Sequence, residues 1–263
     1  MNEIYFINHE KSIEFIYIKG VKNIYNNMQI HSFCELYFFM GGKAEFKNKY
    51  QSKKLYPNQL VIIPPGVYHN FNVLSEKHNY ERCVLNIYHN FIDEAFLKES
   101  LKNKEILTLS FSDRIVKDFL YLIECYNNYS ADDFSEILSL TVKDIIYNIK
   151  NRENIKNNST RPVKSLSGEL IDYIDKNLNN ELVIADIANK FNYSSSHISH
   201  IFKENFGISI KNYIIQKRLS IAYNEIQKGR RAMEVSRELG FSNYSTFFRL
   251  YKKAYGISPS HKD

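Results

Sequence analysis

The chain has 263 residues, of which 44% are hydrophobic, 24% charged and 14% aromatic, with 9 Gly and 5 Pro. This composition excludes a fibrous, low-complexity or broadly disordered protein, and the length allows two modest domains. Residues 1–160 carry 19 basic and 19 acidic side chains, so the net charge of +6 lies wholly in residues 161–263 and predicts a polyanion-binding C-terminal domain.

The cysteines and the first twenty residues indicate the compartment. Cys34, Cys83 and Cys125 are widely spaced and form no CxxC pair, which argues against a disulfide framework or a zinc knuckle. The N-terminus lacks the basic-then-apolar layout of a signal peptide, and no apolar run approaches the roughly 18 residues needed to cross a bilayer. We therefore expect reduced thiols, a cytoplasmic location and no membrane contact.

Short apolar or alternating runs fill the chain from about residue 4 to residue 90. Examples are ELYFFM (35–40), KAEFKN (43–48) and QLVIIP (59–64), the last of which ends in a Pro-Pro-Gly turn. Runs of this length, separated by turn residues, are typical of the strands of an antiparallel sheet or barrel. We expect residues 1–90 to form such a barrel.

The hydrophobic period changes after about residue 91. Apolar residues then recur at intervals of three to four: Ile115, Phe119, Leu122 and Tyr126, followed by Phe134, Ile137, Leu138, Thr141, Ile145 and Ile149. This spacing predicts two amphipathic helices in a segment, 91–150, that packs on the barrel or forms a dimer contact. Residues 151–165 are polar and contain Arg161-Pro162, which predicts a linker.

The basic C-terminal part contains an internal repeat. FKENFGIS (202–209) matches YKKAYGIS (251–258), and DIANKFNYS (186–194) matches EVSRELGFS (234–242), about 48 residues apart. Between the two copies, residues 211–227 predict one long helix.

Each copy predicts two helices joined by a tight turn. The small residues Ala188 and Ser236 allow close helix packing, Asn192 and Gly240 suit the left-handed conformation that ends a helix, and each turn is followed by a candidate N-cap, Ser194 or Ser242. A helical pair of this kind is common in proteins that bind no DNA. Two copies in a basic domain nevertheless favour two helix-turn-helix motifs, whose second helices can enter the major groove.

These residues resemble the DNA-binding domain of the AraC/XylS family of transcription regulators. The matching elements are Leu182 to Ala188, Ser194 to Lys203, Gly207 to Ser209, Tyr213 to Ala222, Leu239 to Phe241, Tyr251 to Lys253 and Gly256 to Pro259. Three departures are Ser236 in place of the usual Ala, Tyr251 in place of Phe, and Lys262-Asp263 in place of a Tyr-Arg pair.

The resemblance implies base contacts from the exposed face of the second helix of each motif. In the first motif the candidates are Ser195, Ser196, Ser199 and His200, with Lys203 near phosphate; in the second they are Asn243, Tyr244, Ser245, Phe248 and Arg249, with Lys252 near phosphate. Arg can donate two bonds to guanine, Ser and Asn can pair with several base edges, and aromatic rings can contact the thymine methyl. The first helix has few long polar side chains, so we expect it to read DNA shape, and we expect a capping or packing role for His197.

Two segments of the N-terminal part resemble the signature motifs of the cupin barrel. They are His31-x3-Glu35-x6-Gly42 and Asn58-x5-Pro64-x-Gly66-x2-His69. The resemblance implies a cavity for a small-molecule effector, a sugar by family analogy, with the candidate contacts His31, Glu35, Tyr37 and His69. We expect His31 and Glu35 on one strand and His69 on a neighbouring strand, with the aromatic residues Tyr37, Phe39 and Tyr68 as the alternative pocket.

Enzymatic cupins hold a metal with two His and a Glu from the first motif and a His from the second. In this chain Gln29 occupies the first of those His positions. We therefore expect no metal and no other cofactor, although Gln29, His31, Glu35 and His69 could form a mixed nitrogen and oxygen site.

Together the resemblances imply an α+β chain with four parts. A cupin-like antiparallel β-barrel (1–90) precedes trailing helices (91–150), a linker (151–165) and an all-α domain with two helix-turn-helix motifs (166–263). The implied protein is a sequence-specific transcriptional regulator and not an enzyme, an activator whose partners are double-stranded DNA, a small-molecule effector, a second copy of the chain and RNA polymerase. The alternatives are a metal-dependent cupin enzyme that carries a DNA-binding domain, and a DNA-binding protein whose barrel only dimerises.

Overall fold

The computed structural model describes residues 2–7, 12–20, 28–49, 51–74, 80–152, 166–206 and 208–260. Within these ranges, two antiparallel sheets and their helices are followed by a wholly helical C-terminal part. The predicted α+β class is therefore confirmed. Most of the expected linker (153–165), together with Gly207 and the final Lys262-Asp263, lies outside the described residues.

The N-terminal strands form two antiparallel sheets. The six-stranded sheet has the spatial order β1 (Asn2–Ile7), β2 (Ile13–Lys19), β8 (Glu81–Ile87), β3 (Cys34–Gly41), β6 (Gln59–Ile63) and β9 (Ile106–Thr108). The three-stranded sheet has the order β5 (Ser52–Leu55), β4 (Ala44–Asn48) and β7 (His69–Val73). The strands that the sequence predicts from residues 4 to 90 are therefore present, whereas cupin-type connectivity stays a prediction.

Alternation along β3 explains how the large sheet is covered on both faces. Leu36 and Phe38 pack with the apolar side chains of the helices that follow the strands. Tyr37 and Phe39 point the other way and share a core with Phe46 of the small sheet. Since successive side chains of a strand face opposite sides, the four buried residues from Leu36 to Phe39 contribute alternately to two separate cores.

The helices that cover the outer face are α1 (Glu94–Leu101), α2 (Arg114–Asn128) and α3 (Ala131–Lys150). Each begins at a side-chain cap, and the cap of α3 is Ser130, whose Oγ accepts from the backbone N–H of Asp133. The two helices predicted from the hydrophobic period are α2 and α3. Strand β9 also falls inside the segment predicted as helical, because three residues are too few for a periodic signal.

The C-terminal part contains the helices α4 (Leu166–Lys176), α5 (Ile184–Lys190), α6 (Ser195–Phe206), α7 (Ile210–Gln227), α8 (Ala232–Glu238) and α9 (Tyr244–Tyr255). The predicted long helix is α7, which packs with α4 to α6 in one cluster and with α8 and α9 in a second. Among the described helices, none combines the length and the apolarity that a bilayer crossing requires.

The two domains touch through a buried aromatic residue and an ion-pair group. Tyr68, between β6 and β7, is 1% exposed and belongs to the core of α4 to α7, where its ring lies 5.1 Å from that of Tyr213. Lys49, after β4, lies 3.0 Å from a carboxylate oxygen of Asp172 and 3.5 Å from one of Asp175, both on α4. Tyr68 is thus an interdomain contact and not part of the barrel pocket offered as an alternative.

Candidate DNA-binding surface and effector site

The first helical pair consists of α5 and α6. Asn192 has φ 59°, the left-handed conformation that the sequence predicts at this turn. Ser194 caps α6, because its Oγ accepts from the backbone N–H of His197 at 3.2 Å. Ala188 is 1% exposed inside the core of this pair. The turn, the cap and the close packing are therefore confirmed.

The second pair consists of α8 and α9. Gly240 has φ 70°, as predicted. The predicted cap Ser242 is wrong, since the side chain of Asn243 accepts from the backbone N–H of Thr246 at 2.8 Å and caps α9. Helix α9 begins one residue later than α6 does relative to its left-handed residue, and Asn is as good a cap as Ser. The oxygen of Asn243 is thus engaged in the cap.

Most of the predicted DNA contacts are exposed on α6 and α9. The exposed ones are Ser195, Ser196, His200, Lys203, Asn243, Ser245, Arg249 and Lys252. Ser199, Tyr244 and Phe248 are half-buried, which leaves part of each side chain available. Exposure on two second helices is what groove binding requires. The individual base contacts stay predictions.

Two histidines of α6 contact neighbouring side chains. His197 stacks on Tyr193 with ring centroids 4.9 Å apart, which agrees with a packing role. His200 Nδ1 lies 3.8 Å from a carboxylate oxygen of Glu204, one turn further along.

Arg218 of α7 holds the two pairs together. Its Nε donates to Leu178 O at 3.0 Å, its Nη2 to Asn180 O at 2.8 Å and its Nη1 to Gly240 O at 2.8 Å. A Cβ on Gly240 would lie 2.8 Å from Arg218 Nη2, so glycine is required by both the positive φ and the close approach. The guanidinium therefore fixes the second turn against the segment that follows α4.

The structure brings His31, Glu35 and His69 together. Oε2 of Glu35 lies 2.9 Å from His31 Nε2 and 3.2 Å from His69 Nε2. The predicted proximity is confirmed, but the predicted strand placement is wrong in two respects. His31 precedes β3, and His69 opens β7 in the opposite sheet. The cluster joins the two sheets because β7 faces β3 across the core.

Backbone carbonyls fix both imidazole rings. His31 Nδ1 lies 2.8 Å from Phe33 O, and His69 Nδ1 lies 3.0 Å from Val67 O. Since a carbonyl only accepts, each Nδ1 carries its proton, and each Nε2 can donate to Glu35 only in an imidazolium. Burial alone would raise the pKa of the Glu35 carboxyl, but hydrogen bonds and charge from the two imidazoles hold that pKa well below its usual range.

The same three donors fit a divalent transition metal. Their ligand atoms lie within 4.8 Å of one another, and the buried His69 Nε2 has no hydrogen bond of good geometry among the described residues. Imidazole and carboxylate are suitable ligands for several such ions. Gln29 is exposed and pairs with His69 through backbone hydrogen bonds. The cluster can therefore bind an effector by hydrogen bonds or hold a metal through three ligands.

Tyr37 lies outside this cluster. Its ring stacks on Phe71 at 3.6 Å, and Phe71 in turn lies 5.8 Å from His69. The Tyr37 hydroxyl pairs with that of Tyr80, to which Arg82 Nη1 donates at 2.9 Å. Burial raises the pKa of the Tyr37 phenol well above its usual value. Tyr37 is thus a core residue one ring away from the cluster, and its contact with an effector stays a prediction.

Asn86 and Glu14 are polar residues near the cluster that were not predicted from the sequence. Asn86 of β8 pairs in register with Glu35 on one side and with Glu14 of β2 on the other. Asn86 Nδ2 donates to Glu14 Oε2 at 2.7 Å. Glu14, Asn86 and Glu35 therefore form one polar rung, a row of residues in register across three neighbouring strands. Its signal in the sequence was a lone Asn within the apolar run of β8.

Comparison with known proteins finds similarity for the C-terminal helices and for most of the chain. Residues 187–262 match a family described as a helix-turn-helix domain. The "Probable transcriptional regulator LumQ" of Photobacterium leiognathi is 25% identical over 236 residues, which span 88% of this chain and 89% of that protein. The "Arabinose operon regulatory protein" of Escherichia coli (strain K12) is 24% identical over 237 residues, 83% of this chain and 76% of that protein.

Among solved structures, ToxT from Vibrio cholerae strain SCE256 covers 94% of this chain and 92% of its own, with 14% identity and a TM-score of 0.39. Both regulators above align across the strands as well as the helices, and the helix-turn-helix match falls on α5 to α9. The chain is therefore a transcriptional regulator of the AraC family, with a helix-turn-helix DNA-binding domain behind its N-terminal domain.

Proposed function

We propose that this regulator binds a small-molecule effector at the His31, Glu35 and His69 cluster and transmits its presence to the DNA-binding domain. The proposal rests on one observation: the cluster and helix α7 share hydrogen bonds. Ser220 Oγ of α7 donates to His31 O at 3.2 Å. The same carbonyl accepts from the backbone N–H of Gly66 at 2.8 Å.

A second contact of α7 strengthens this link. Lys217 Nζ donates to Gly66 O at 2.7 Å and lies 3.2 Å from a carboxylate oxygen of Asp175 on α4. An effector that turns the His31 ring would shift the His31 and Gly66 carbonyls. Helix α7 would then lose the hydrogen bonds that hold it against the N-terminal domain. An effector acts by binding one of two arrangements more tightly, so the docked and released arrangements of the DNA-binding domain would change in population.

We further propose a homodimer that activates transcription in the cytoplasm through RNA polymerase, as the family resemblance implies. Helices α2 and α3 support a dimer contact, since they expose the large apolar side chains Leu120, Tyr121, Leu140 and Tyr147. Exposed apolar groups gathered on one helical pair are typical of interaction surfaces. A sugar as the effector stays a prediction.

The experiment uses the full chain and a reporter gene under a promoter that the protein binds in its own genome. We expect His69→Gln to keep DNA affinity within twofold, because the His69 side chain contacts Glu35, His31 and Phe71 of the N-terminal domain, but to abolish the effector-dependent change in reporter output. Glu136→Gln, an exposed change on α3, is the matched control and should respond normally.

Three results discriminate among the alternatives. A folded His69→Gln variant with a normal response would refute the effector site. Loss of the response on adding a chelator would identify a metal as part of the site. Failure of the full chain to bind any genomic fragment in mobility-shift assays would refute sequence-specific regulation itself.

A further inference from the structure

A cavity of about 450 Å³ lies between the two domains. Glu14, His31 and Phe33 line it from the N-terminal domain, and Tyr223 of α7 and Tyr255 of α9 line it from the C-terminal domain. Its volume is within the range of roughly 300–1,000 Å³ typical of small-molecule sites. We propose that this cavity binds an organic cation that carries an aromatic ring, and that this cation is the effector; the inference thus rests on the proposed function.

Aromatic rings form the walls of the cavity on both sides. Phe33 stacks on His31 at 4.1 Å and lies 4.9 Å from Tyr88, whereas Tyr255 lies 4.6 Å from Tyr223. His89 bridges the domains, with its ring 6.1 Å from that of Tyr223. Ring faces carry partial negative charge, so such walls favour a flat ligand and an adjacent cation.

The charge of the lining selects the same ligand class. Glu14 is the acidic residue of the lining, and among the described residues that line the cavity none is Lys or Arg. Glu14 and Glu35 occupy the same rung two strands apart, which places their backbones about 10 Å from each other. Glu35 is paired with His31 and His69, so the carboxylate that acts on a ligand is that of Glu14, which attracts a cation and repels a carboxylate or phosphate ligand.

The position of the cavity couples its occupant to DNA binding. A ligand there touches β2, the segment before β3, helix α7 and the end of α9, which is the second recognition helix. It therefore contacts both domains only while they are docked, and it must bind the docked arrangement more tightly than the released one. By linkage, DNA and the ligand change each other's affinity by the same factor.

The test compares three ligands that share one ring and differ in charge. Tyramine carries an ammonium, tyrosol a hydroxyl and 4-hydroxyphenylacetate a carboxylate, and each is titrated into the full chain by calorimetry. We expect tyramine to bind at least tenfold more tightly than tyrosol, with no binding of 4-hydroxyphenylacetate, because a desolvated charged hydrogen bond accounts for at least that factor.

Substitutions of residues that line the cavity test whether the ligands bind there. Glu14→Gln keeps an oxygen for Asn86 and should lower the affinity for tyramine at least tenfold while leaving that for tyrosol within twofold. Glu136→Gln removes the same charge from an exposed position on α3 and should change neither affinity. Phe33→Leu should weaken both ligands and serves as a second probe if Glu14→Gln does not fold.

The outcomes separate this inference from the proposed function. Equal binding of the three ligands, preference for the carboxylate, or binding of L-arabinose without tyramine would overturn the cation assignment. Mobility shifts with the same samples test the proposed function. If tyramine binds but leaves DNA affinity unchanged, the cavity is a cation site, but the proposal that its ligand controls DNA binding is refuted. If another compound changes DNA affinity and tyramine does not bind, the proposed effector-sensing function stands and the assignment of an aromatic cation is refuted.

Discussion

Arg218→Lys should destabilise the DNA-binding domain more than any change on its surface. Arg218 is 9% exposed and donates to three carbonyls, those of Leu178, Asn180 and Gly240. Among the described residues no carboxylate contacts its guanidinium, so the charge is stabilised by these carbonyls. A single ammonium nitrogen cannot occupy the positions of three guanidinium nitrogens.

The expected loss follows from the number of bonds. A hydrogen bond to a charged group contributes about 1.5–3 kcal/mol, and Lys can keep one of the three, so we expect a loss of about 3–6 kcal/mol. Domains have total stabilities of about 5–15 kcal/mol, so this loss is a large share. The carbonyls left without a donor belong to the segment that leads from α4 into the first motif and to the turn of the second, so both motifs should loosen together.

Thermal unfolding of the full chain, followed by circular dichroism, measures this effect. We expect the unfolding temperature of the helical domain to fall by at least about 12 °C. Hydrogen exchange should accelerate around Leu178 and Gly240 together. Arg231→Lys is the matched control, because Arg231 is 85% exposed in its pair with Glu234, and should change stability by less than about 0.5 kcal/mol. If Arg218→Lys behaved like that control, the bridging role of Arg218 would be refuted.

Four further substitutions test the DNA-binding surface and its turns. Arg249→Ala should cost about 1–3 kcal/mol at the specific site and little on random DNA, and equal losses in mobility shifts would show that Arg249 reads no base. Lys203→Ala should weaken both DNAs alike and lower the slope of log affinity against log salt by about 1. Gly240→Ala should destabilise by at least about 1–2 kcal/mol through its positive φ alone, whereas Asn192→Gly should be close to neutral in the same unfolding assay.

Local signals explain which features of the helical domain were predictable. Asn192 and Gly240 are the residue types that tolerate positive φ, and both adopt it. The cap of α9 was misassigned because Ser242 and Asn243 are adjacent and equally suitable. A one-residue difference in turn length decides between them, and that difference depends on how α9 packs.

Non-local packing explains what the sequence did not show in the N-terminal domain. The spacing of His31, Glu35 and His69 predicted their proximity, but pairing between distant strands decides that His69 belongs to the opposite sheet. The contact of Tyr68 with the helical domain and the place of Glu14 beside the interdomain cavity depend on how two domains dock. Local composition carries no signal for such contacts.

The last prediction concerns Asp118 on α2, a carboxylate outside both sites. It is 3% exposed; Arg114 Nε lies 2.9 Å from its Oδ1, and its Oδ2 has no hydrogen-bond partner among the described residues. Burial, opposed by Arg114 and aided by the nearby Asp144 carboxylate, raises the pKa of Asp118 to about 6. Because this value exceeds the unfolded pKa of about 3.9, the group's stabilising contribution is fully present below pH ~4 and is lost as pH rises through 6.

Asp118→Asn should therefore stabilise the protein at high pH and leave it unchanged at low pH. The variant keeps the shape of the side chain and an oxygen for Arg114 but cannot ionise. A shift of two pKa units corresponds to roughly 3 kcal/mol, and screening by the exposed Arg114 reduces the expected gain at pH 8 to about 1–2 kcal/mol. Denaturant unfolding at pH 4, 6 and 8 measures the difference, with Glu136→Gln as the exposed control. If the difference in unfolding free energy between the variant and the parent protein did not change with pH, Asp118 would have the same pKa in the folded and unfolded states. The argument that burial raises its pKa would then be refuted.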